Sequence, residues 1–133
     1  MPDGPMCNPA LHVLVAEDEA SVALVIDENL TECGFRVTCA PDGAVAVAEL
    51  SAHPFDAVVT DIRMPNLDGV SLVRSILATF PRMPIVVLSG YMTAQQRGEL
   101  LALGVPAEAL LEKPSGFRDL RGTLIRLLSA THP

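Results

Sequence analysis

The sequence predicts an α/β domain built around a doubly wound, five-stranded parallel sheet. Short and almost continuously apolar runs recur along the chain, and a stretch with helical periodicity follows each of them. Strands that are apolar throughout are typical of parallel sheets, because helices cover both of their faces. The connections are short, which favours right-handed crossovers within one sheet.

The first half of the chain supplies two strands and two helices. Residues 11–16 form an apolar run, and the helical pattern that begins at Ser21 ends at Gly34, a residue typical of helix C-termini. Residues 35–39 alternate between apolar and polar side chains, which predicts a strand at the edge of the sheet. An alanine-rich and valine-rich segment at 44–51 predicts a short second helix.

The second half repeats the alternation three times. Further strands are predicted at 57–60, 85–88 and 109–112, and further helices at 68–79, 93–103 and from 115 onward. Thr93 and Gln96 have the spacing of a capping box, and Gly104 is expected to end the helix that they begin. Ser115 is the expected cap of the last helix.

Length and composition predict a single domain at 11–129, with a mobile tail at 1–10 and a C-terminal tail at 130–133. The chain of 133 residues is long enough to bury its own core. Its net charge of −7 argues against direct binding of nucleic acid, whose phosphates this surface would repel. No apolar stretch approaches the roughly 20 residues of a membrane span, so a cytoplasmic protein without membrane contact is expected.

The three cysteines are expected to be reduced. Cys7, Cys33 and Cys39 form no CxxC motif and no cluster with histidine. Their odd number and irregular spacing argue against a disulfide framework and against a zinc site.

Reactive side chains follow four of the five predicted strands. Glu17 and Asp18 come after the first, Asp61 after the third, Ser89 after the fourth and Lys113 after the fifth. Functional groups of parallel sheets gather at the carboxyl ends of strands beside the topological switch point. The second strand is the only one expected to end without a reactive group. Asp42, which follows it, is interpreted as a solvated surface residue.

This set of side chains predicts a site for a divalent metal and a phosphoryl group. Three neighbouring carboxylates repel one another unless a cation neutralises them, and Mg²⁺ prefers such oxygen ligands. Asp61 is then a candidate nucleophile toward phosphorus. Lys113, the only lysine of the chain, would contact one phosphoryl oxygen, and Ser89 would donate a hydrogen bond to another.

Four segments together resemble the response-regulator receiver domain of two-component signalling, a CheY-like family. They are Val15-Ala16-Glu17-Asp18-Glu19, Thr60-Asp61-Ile62-Arg63-Met64-Pro65-Asn66-Leu67-Asp68-Gly69, Leu88-Ser89-Gly90 and Glu112-Lys113-Pro114. The resemblance extends over residues 11–128. It implies a flavodoxin-like (βα)5 fold with strand order 2-1-3-4-5.

The resemblance also implies the roles of the site residues. A histidine kinase or histidine phosphotransfer protein would transfer a phosphoryl group to Asp61, with Mg²⁺ or Mn²⁺ as the cofactor. Asp18, Asp61 and the backbone carbonyl of Arg63 would bind the metal, and Glu17 would act through water. Phosphorylation would change a surface that binds a downstream protein, and a homodimer linked to phosphorylation is left open. The family further implies a cis peptide bond between Lys113 and Pro114.

The sequence departs from the family at the signalling switch. Receiver domains often carry a rotating aromatic residue three positions before the lysine, where this chain has Leu110. Tyr91 is the only tyrosine, and we hypothesise that it takes over this role. Arg63 and Tyr91 lie two residues beyond Asp61 and Ser89, and they are candidates to control the access of water to the phosphoryl group.

Two other functions remain open on sequence grounds. A Mg²⁺-dependent aspartyl-phosphate hydrolase is one, although such enzymes commonly place a second acid where this chain has Arg63. A scaffold that works through protein contacts without phosphorylation is the other. A single-domain protein and a domain excised from a larger regulator or hybrid kinase would look the same at this level.

Overall fold

The computed structural model describes residues 11–64 and 66–131. Five parallel strands form one sheet in the order β2-β1-β3-β4-β5, which confirms the predicted fold class and strand order. The strands are β1 (His12–Ala16), β2 (Arg36–Ala40), β3 (Ala57–Thr60), β4 (Ile85–Ser89) and β5 (Leu110–Glu112). The predicted mobile segment at 1–10 lies outside the described residues.

Five helices connect and cover the strands. They are α1 (Ala20–Glu32), α2 (Gly43–Ala52), α3 (Gly69–Thr79), α4 (Ala94–Leu103) and α5 (Gly116–Thr131). Strand β2 lies at the edge of the sheet, as its alternating pattern predicts, and β3 is buried along its whole length. Ala130 and Thr131, which the sequence assigned to the C-terminal tail, belong to α5.

Local signals set the ends of several helices. The capping box is present at α4, where Thr93 accepts from the Gln96 N–H and Gln96 accepts from the Thr93 N–H. Gly104 ends this helix with a φ of 105°, and Gly34, which follows the C-cap residue Cys33 of α1, adopts a φ of 103°. A left-handed residue at this position satisfies the last helical carbonyls, and glycine adopts it without strain. Ser115 donates instead to the carbonyl of Glu112.

The core consists of the central strands and the inward faces of the helices. Leu14, Val58, Val59, Val86 and Val87 are almost fully buried. His12 is packed and hydrogen-bonded, because its Nε2 lies 2.7 Å from the Thr38 hydroxyl and its ring contacts that of Phe55 at a tilt of 37°. The strongly apolar centre of the sheet holds the strand ends in fixed register, which is what positions the site.

Strand β5 is shorter than the apolar pattern suggested. A 3-10 turn at Ala107–Ala109 takes up the first residue of the predicted strand, and its N-terminal neighbour is Pro106.

None of the helices within the described residues combines the length and the apolar character that a membrane span requires.

The expectation that all cysteines are reduced is wrong for Cys33, which is disulfide-bonded. Cys39 is a free cysteine, and it is exposed on the edge strand. Disulfide formation depends on the distance between cysteines in the folded chain, and the irregular spacing along the sequence does not report that distance.

Gly69 lies where α3 begins against the end of β3, and this close approach leaves no space for a side chain. A Cβ atom at this position would lie 2.0 Å from the Asp61 carbonyl oxygen and 2.6 Å from the Ile62 Cα. Gly69→Ala is therefore expected to lower the free energy of unfolding by about 1–3 kcal/mol, the usual range for overpacking. Urea unfolding measures this loss.

Gly98 provides the matched control, because it lies inside α4 and a Cβ atom added there would meet no atom within 4 Å. Gly98→Ala is expected to raise stability by about 1 kcal/mol through helix propensity. If both variants changed the free energy of unfolding by the same amount, the result would contradict the close approach at Gly69.

Candidate phospho-acceptor site

Asp61 lies immediately after β3 and is held by two partners. Its Oδ1 accepts a hydrogen bond from the Ile62 N–H at 2.7 Å, and its Oδ2 lies 3.0 Å from the Lys113 Nζ. The neighbouring Thr60 hydroxyl donates to the Asp61 carbonyl. Only 7% of Asp61 is exposed. The carboxylate thus has a fixed orientation at the carboxyl edge of the sheet, with limited access from solvent.

Lys113, which follows β5, contacts the carboxylates that follow β1 and β3. Its Nζ lies 2.8 Å from the Glu17 Oε1 and 3.0 Å from the Asp61 Oδ2. Burial acts to lower the pKa of Lys113, but the hydrogen bonds to Glu17 and Asp61 outweigh it and raise the pKa. The ammonium group therefore remains charged and neutralises part of the carboxylate cluster.

Glu17 is the most buried acidic residue of the site, with 2% of its surface exposed. Burial raises its pKa, while the hydrogen bonds from Lys113 and from the Glu19 N–H act in the opposite direction. An unpaired carboxylate at this depth would be costly. Glu17 thus depends on Lys113, in addition to the metal contact that the sequence suggested.

Glu17, Asp18 and Asp61 form the acidic cluster. Each offers one carboxylate oxygen, and these oxygens lie within 4.8 Å of one another. Asp18 is exposed, whereas the other two are buried. Hard oxygen donors at this spacing, with one side open to solvent, suit a Mg²⁺ ion that keeps some of its water ligands. The residues present therefore fit the expected metal.

Ser89 lies at the same edge of the sheet but its hydroxyl is engaged elsewhere. The hydroxyl donates to the Tyr91 carbonyl at 3.0 Å and lies 3.4 Å from the Tyr91 nitrogen. Tyr91 itself is 64% exposed, and Leu110 is buried. The described conformation therefore holds Ser89 within its own loop, without a hydrogen bond to the acidic cluster.

Arg63 is exposed and lines an open cleft of about 710 Å³ between the beginnings of α3 and α4. Arg74, Gln95 and Glu99 line the same cleft. Arg63 thus borders this open cleft, whose lining does not include Asp61.

Asp42 has a structural role that its interpretation as a solvated surface residue missed. It caps α2 by accepting from the Val45 N–H at 2.8 Å, and its second oxygen accepts from the Asn66 side-chain amide at 2.9 Å. The position of Asp42 before a helical segment was a signal for the cap. The contact with Asn66 depends on how the two loops fold together, and no local pattern indicates it.

Removal of the Lys113 ammonium is expected to destabilise the protein in the absence of divalent metal. Lys113→Met leaves Glu17 and Asp61 buried without their common cation. We expect a loss of about 2 kcal/mol, less than the 3–5 kcal/mol typical of a fully buried pair because the Lys113 side chain is 14% exposed. Urea unfolding in a chelator measures the loss, and Mg²⁺ should restore part of it.

The double variant Lys113→Met with Glu17→Gln is the control for charge. Neutralising Glu17 should recover stability relative to Lys113→Met alone. A double variant that is no more stable would show that packing of the lysine chain, not its charge, explains the loss.

A family model and several known proteins are similar to this chain along most of its length. The family model for the response regulator receiver domain matches residues 13–125. The transcriptional regulatory protein ZraR of Escherichia coli (strain K12) is 30% identical over 127 residues, which cover 96% of this chain and 28% of ZraR. The chain therefore spans less than a third of that relative.

Two solved structures show the same fold at similar or higher identity. A response regulator receiver protein from Sinorhizobium medicae is 38% identical, with a TM-score of 0.79 over 91% of this chain and 96% of that one. The receiver domain of the Francisella response regulator 1452 is 30% identical, with a TM-score of 0.81 over 91% and 98% of the two chains. The chain belongs to the response regulator receiver domain family.

Proposed function

We propose that Asp61 accepts a phosphoryl group in a Mg²⁺-dependent reaction. The observation that carries this proposal is the buried Asp61 carboxylate, oriented by Ile62 and Lys113 within the cluster of three acidic oxygens. One Asp61 oxygen would form a bond to phosphorus as the bond between phosphorus and a donor histidine nitrogen breaks. The nitrogen keeps the bonding electron pair, and an acyl phosphate results.

The metal and Lys113 would have complementary roles. Mg²⁺, or Mn²⁺ in its place, supplies positive charge toward the phosphoryl oxygens. Asp18, Asp61 and the Arg63 carbonyl would hold the metal, with Glu17 acting through water. Lys113 already lies 3.0 Å from the acceptor, so its ammonium group is in position to contact one oxygen of the added phosphoryl group.

Ser89 would complete the site by changing its hydrogen-bond partner. A phosphoryl group on Asp61 adds strong acceptor oxygens at the edge where β4 ends. Redirecting the Ser89 hydroxyl to such an oxygen breaks its bond to the Tyr91 carbonyl. Tyr91 would then move with its loop and act as the signalling switch, in place of the aromatic residue that Leu110 replaces.

The donor would be a histidine kinase or a histidine phosphotransfer protein, and the output a downstream protein that reads the altered surface. We place this receiver at residues 11–129, in the cytoplasm, acting alone or as part of a larger regulator or hybrid kinase. Arg63 and Tyr91, two residues beyond Asp61 and Ser89 in the sequence, would set the lifetime of the phosphoryl group by controlling access of water. A phosphorylation-linked homodimer is one form that the output would take.

Phosphorylation by a small donor tests the acceptor directly. The chain incubated with Mg²⁺ and acetyl phosphate should gain the mass of one phosphoryl group, as measured by intact mass spectrometry. Asp61→Asn should gain none, because the amide is a poor nucleophile and binds metal less well. Chelation of the metal should also abolish the gain.

Asp68→Asn is the matched control, since Asp68 lies in the same loop but caps α3 through the Ser71 N–H. It should still be phosphorylated. Labelling of Asp61→Asn, or of the wild type in chelator at an equal rate, would contradict the proposal.

Movement of Tyr91 can be followed by its own fluorescence, because the chain contains one tyrosine and no tryptophan. Phosphorylation should reduce quenching of Tyr91 by acrylamide, as the exposed ring is drawn toward the protein with its loop. Ser89→Ala should be phosphorylated with little change in quenching, because the link between the loop and the phosphoryl group is absent. If acrylamide quenched the phosphorylated and unmodified wild type equally, Tyr91 would be ruled out as the switch.

A further inference from the structure

The loop between β3 and α3, described at Arg63, Met64 and residues 66–68, is closed at its base. The Gly69 N–H donates to the Ile62 carbonyl at 2.8 Å, and the absence of a side chain at Gly69 lets α3 begin directly against Asp61. The two ends of the loop therefore have little freedom relative to each other. This closure does not determine the position of the loop apex, which consists of Asn66 and Leu67.

The apex is held by the turn that follows β2. Asn66 has a left-handed backbone conformation, with a φ of 72°, and its side-chain amide donates to Asp42 Oδ2 at 2.9 Å. Next to this hydrogen bond, Gly43 lies so close to Leu67 that a Cβ atom would come within 2.3 Å of the Leu67 carbonyl oxygen. Two adjacent contacts thus join the apex to the beginning of α2.

Asp42 is itself rigidly placed. Its Oδ1 caps α2 through the Val45 N–H, so the direction of Oδ2 toward Asn66 is set by the helix. The hydrogen bonds from Val45 and Asn66 lower the pKa of Asp42, so the carboxylate is charged at neutral pH. Because α2 packs its buried Ala46 and Leu50 into the core, the apex is attached to a fixed element of the fold.

We propose that Asp42 and Asn66 form a clasp that positions the β3–α3 loop for metal binding. The inference rests on the proposed function, in which the Arg63 carbonyl of this loop is a metal ligand. Asp42 and Asn66 are positioning residues that do not touch the metal. The edge strand β2 contributes no reactive group to the site. Asp42 lies in the turn after β2, so the clasp connects this turn to the loop proposed to bind the metal.

The variant Asn66→Gly separates the clasp from the backbone conformation. Glycine adopts a positive φ without strain, so the turn is kept while the amide is removed. In a titration of the full chain with MgCl₂, followed by amide chemical shifts, the dissociation constant should rise about threefold to tenfold, which corresponds to the usual net strength of one hydrogen bond.

Asp42→Ser tests the other half of the clasp. Serine keeps a cap for α2 but offers no second oxygen to Asn66. It should weaken Mg²⁺ binding to a similar degree, and the double variant Asp42→Ser with Asn66→Gly should bind no more weakly than either single variant. Such non-additivity is the signature of a direct pair, and a general loss of stability would not produce it.

Thr31→Ala provides a control of the same chemical kind. It removes an exposed side-chain hydrogen bond, from Thr31 to Asp27 on α1, that is remote from the loop. This variant should bind Mg²⁺ as the wild type does. An equal rise in the dissociation constant for Thr31→Ala would attribute the effect to stability and overturn the clasp.

The remaining outcomes separate the two proposals. Mg²⁺ binding by Asn66→Gly within twofold of the wild type, or additive effects in the double variant, would overturn the clasp and leave the proposed function intact. A wild-type chain that neither binds Mg²⁺ nor accepts a phosphoryl group from acetyl phosphate would overturn both.

Discussion

The pairing of Lys113 with Glu17 and Asp61 is the interaction on which the site depends. Two buried carboxylates at neighbouring strand ends would repel each other and resist burial, and one ammonium group from a third strand end offsets both effects. The three residues lie far apart in sequence, with Lys113 and Glu17 separated by 96 positions. Their contact therefore requires that β1, β3 and β5 end at the same edge of one sheet.

This pairing also changes how much charge the proposed metal ion would have to neutralise. On sequence grounds alone, the three carboxylates form a cluster that needs a divalent cation to neutralise it. In the structure, Lys113 already supplies one positive charge to Glu17 and Asp61, and the exposed Asp18 takes no part in that pairing. Asp18 is therefore the carboxylate of the cluster whose charge Lys113 does not offset.

The two loops that flank Asp61 and Ser89 are held in different ways. The β3–α3 loop is fixed by backbone closure at Gly69 and by the hydrogen bond between Asn66 and Asp42. The loop after β4 is held by the Ser89 hydroxyl, which bonds to its own neighbour, Tyr91. Under the proposed function, the first arrangement would keep a metal-binding loop in place, and the second would allow Ser89 to exchange its partner when charge is added to Asp61.

The order of the elements could be read from the sequence because its signals are local. Continuous apolar runs indicate buried parallel strands, and glycine or capping residues mark helix ends within a few positions. The gathering of Glu17, Asp61 and Lys113 at one edge followed from the same alternation, since all strand ends of a parallel sheet point the same way. The family followed from these motifs taken together.

The tertiary structure decided which of these groups touch. That Lys113 bridges two carboxylates and that Asp42 reaches Asn66 are facts about distances between residues remote in sequence. A pattern of residue types places side chains on an edge or a face, but it does not measure the separation of two atoms across loops. Hydrogen bonds and ion pairs depend on a few tenths of an ångström, so only the folded chain determines them.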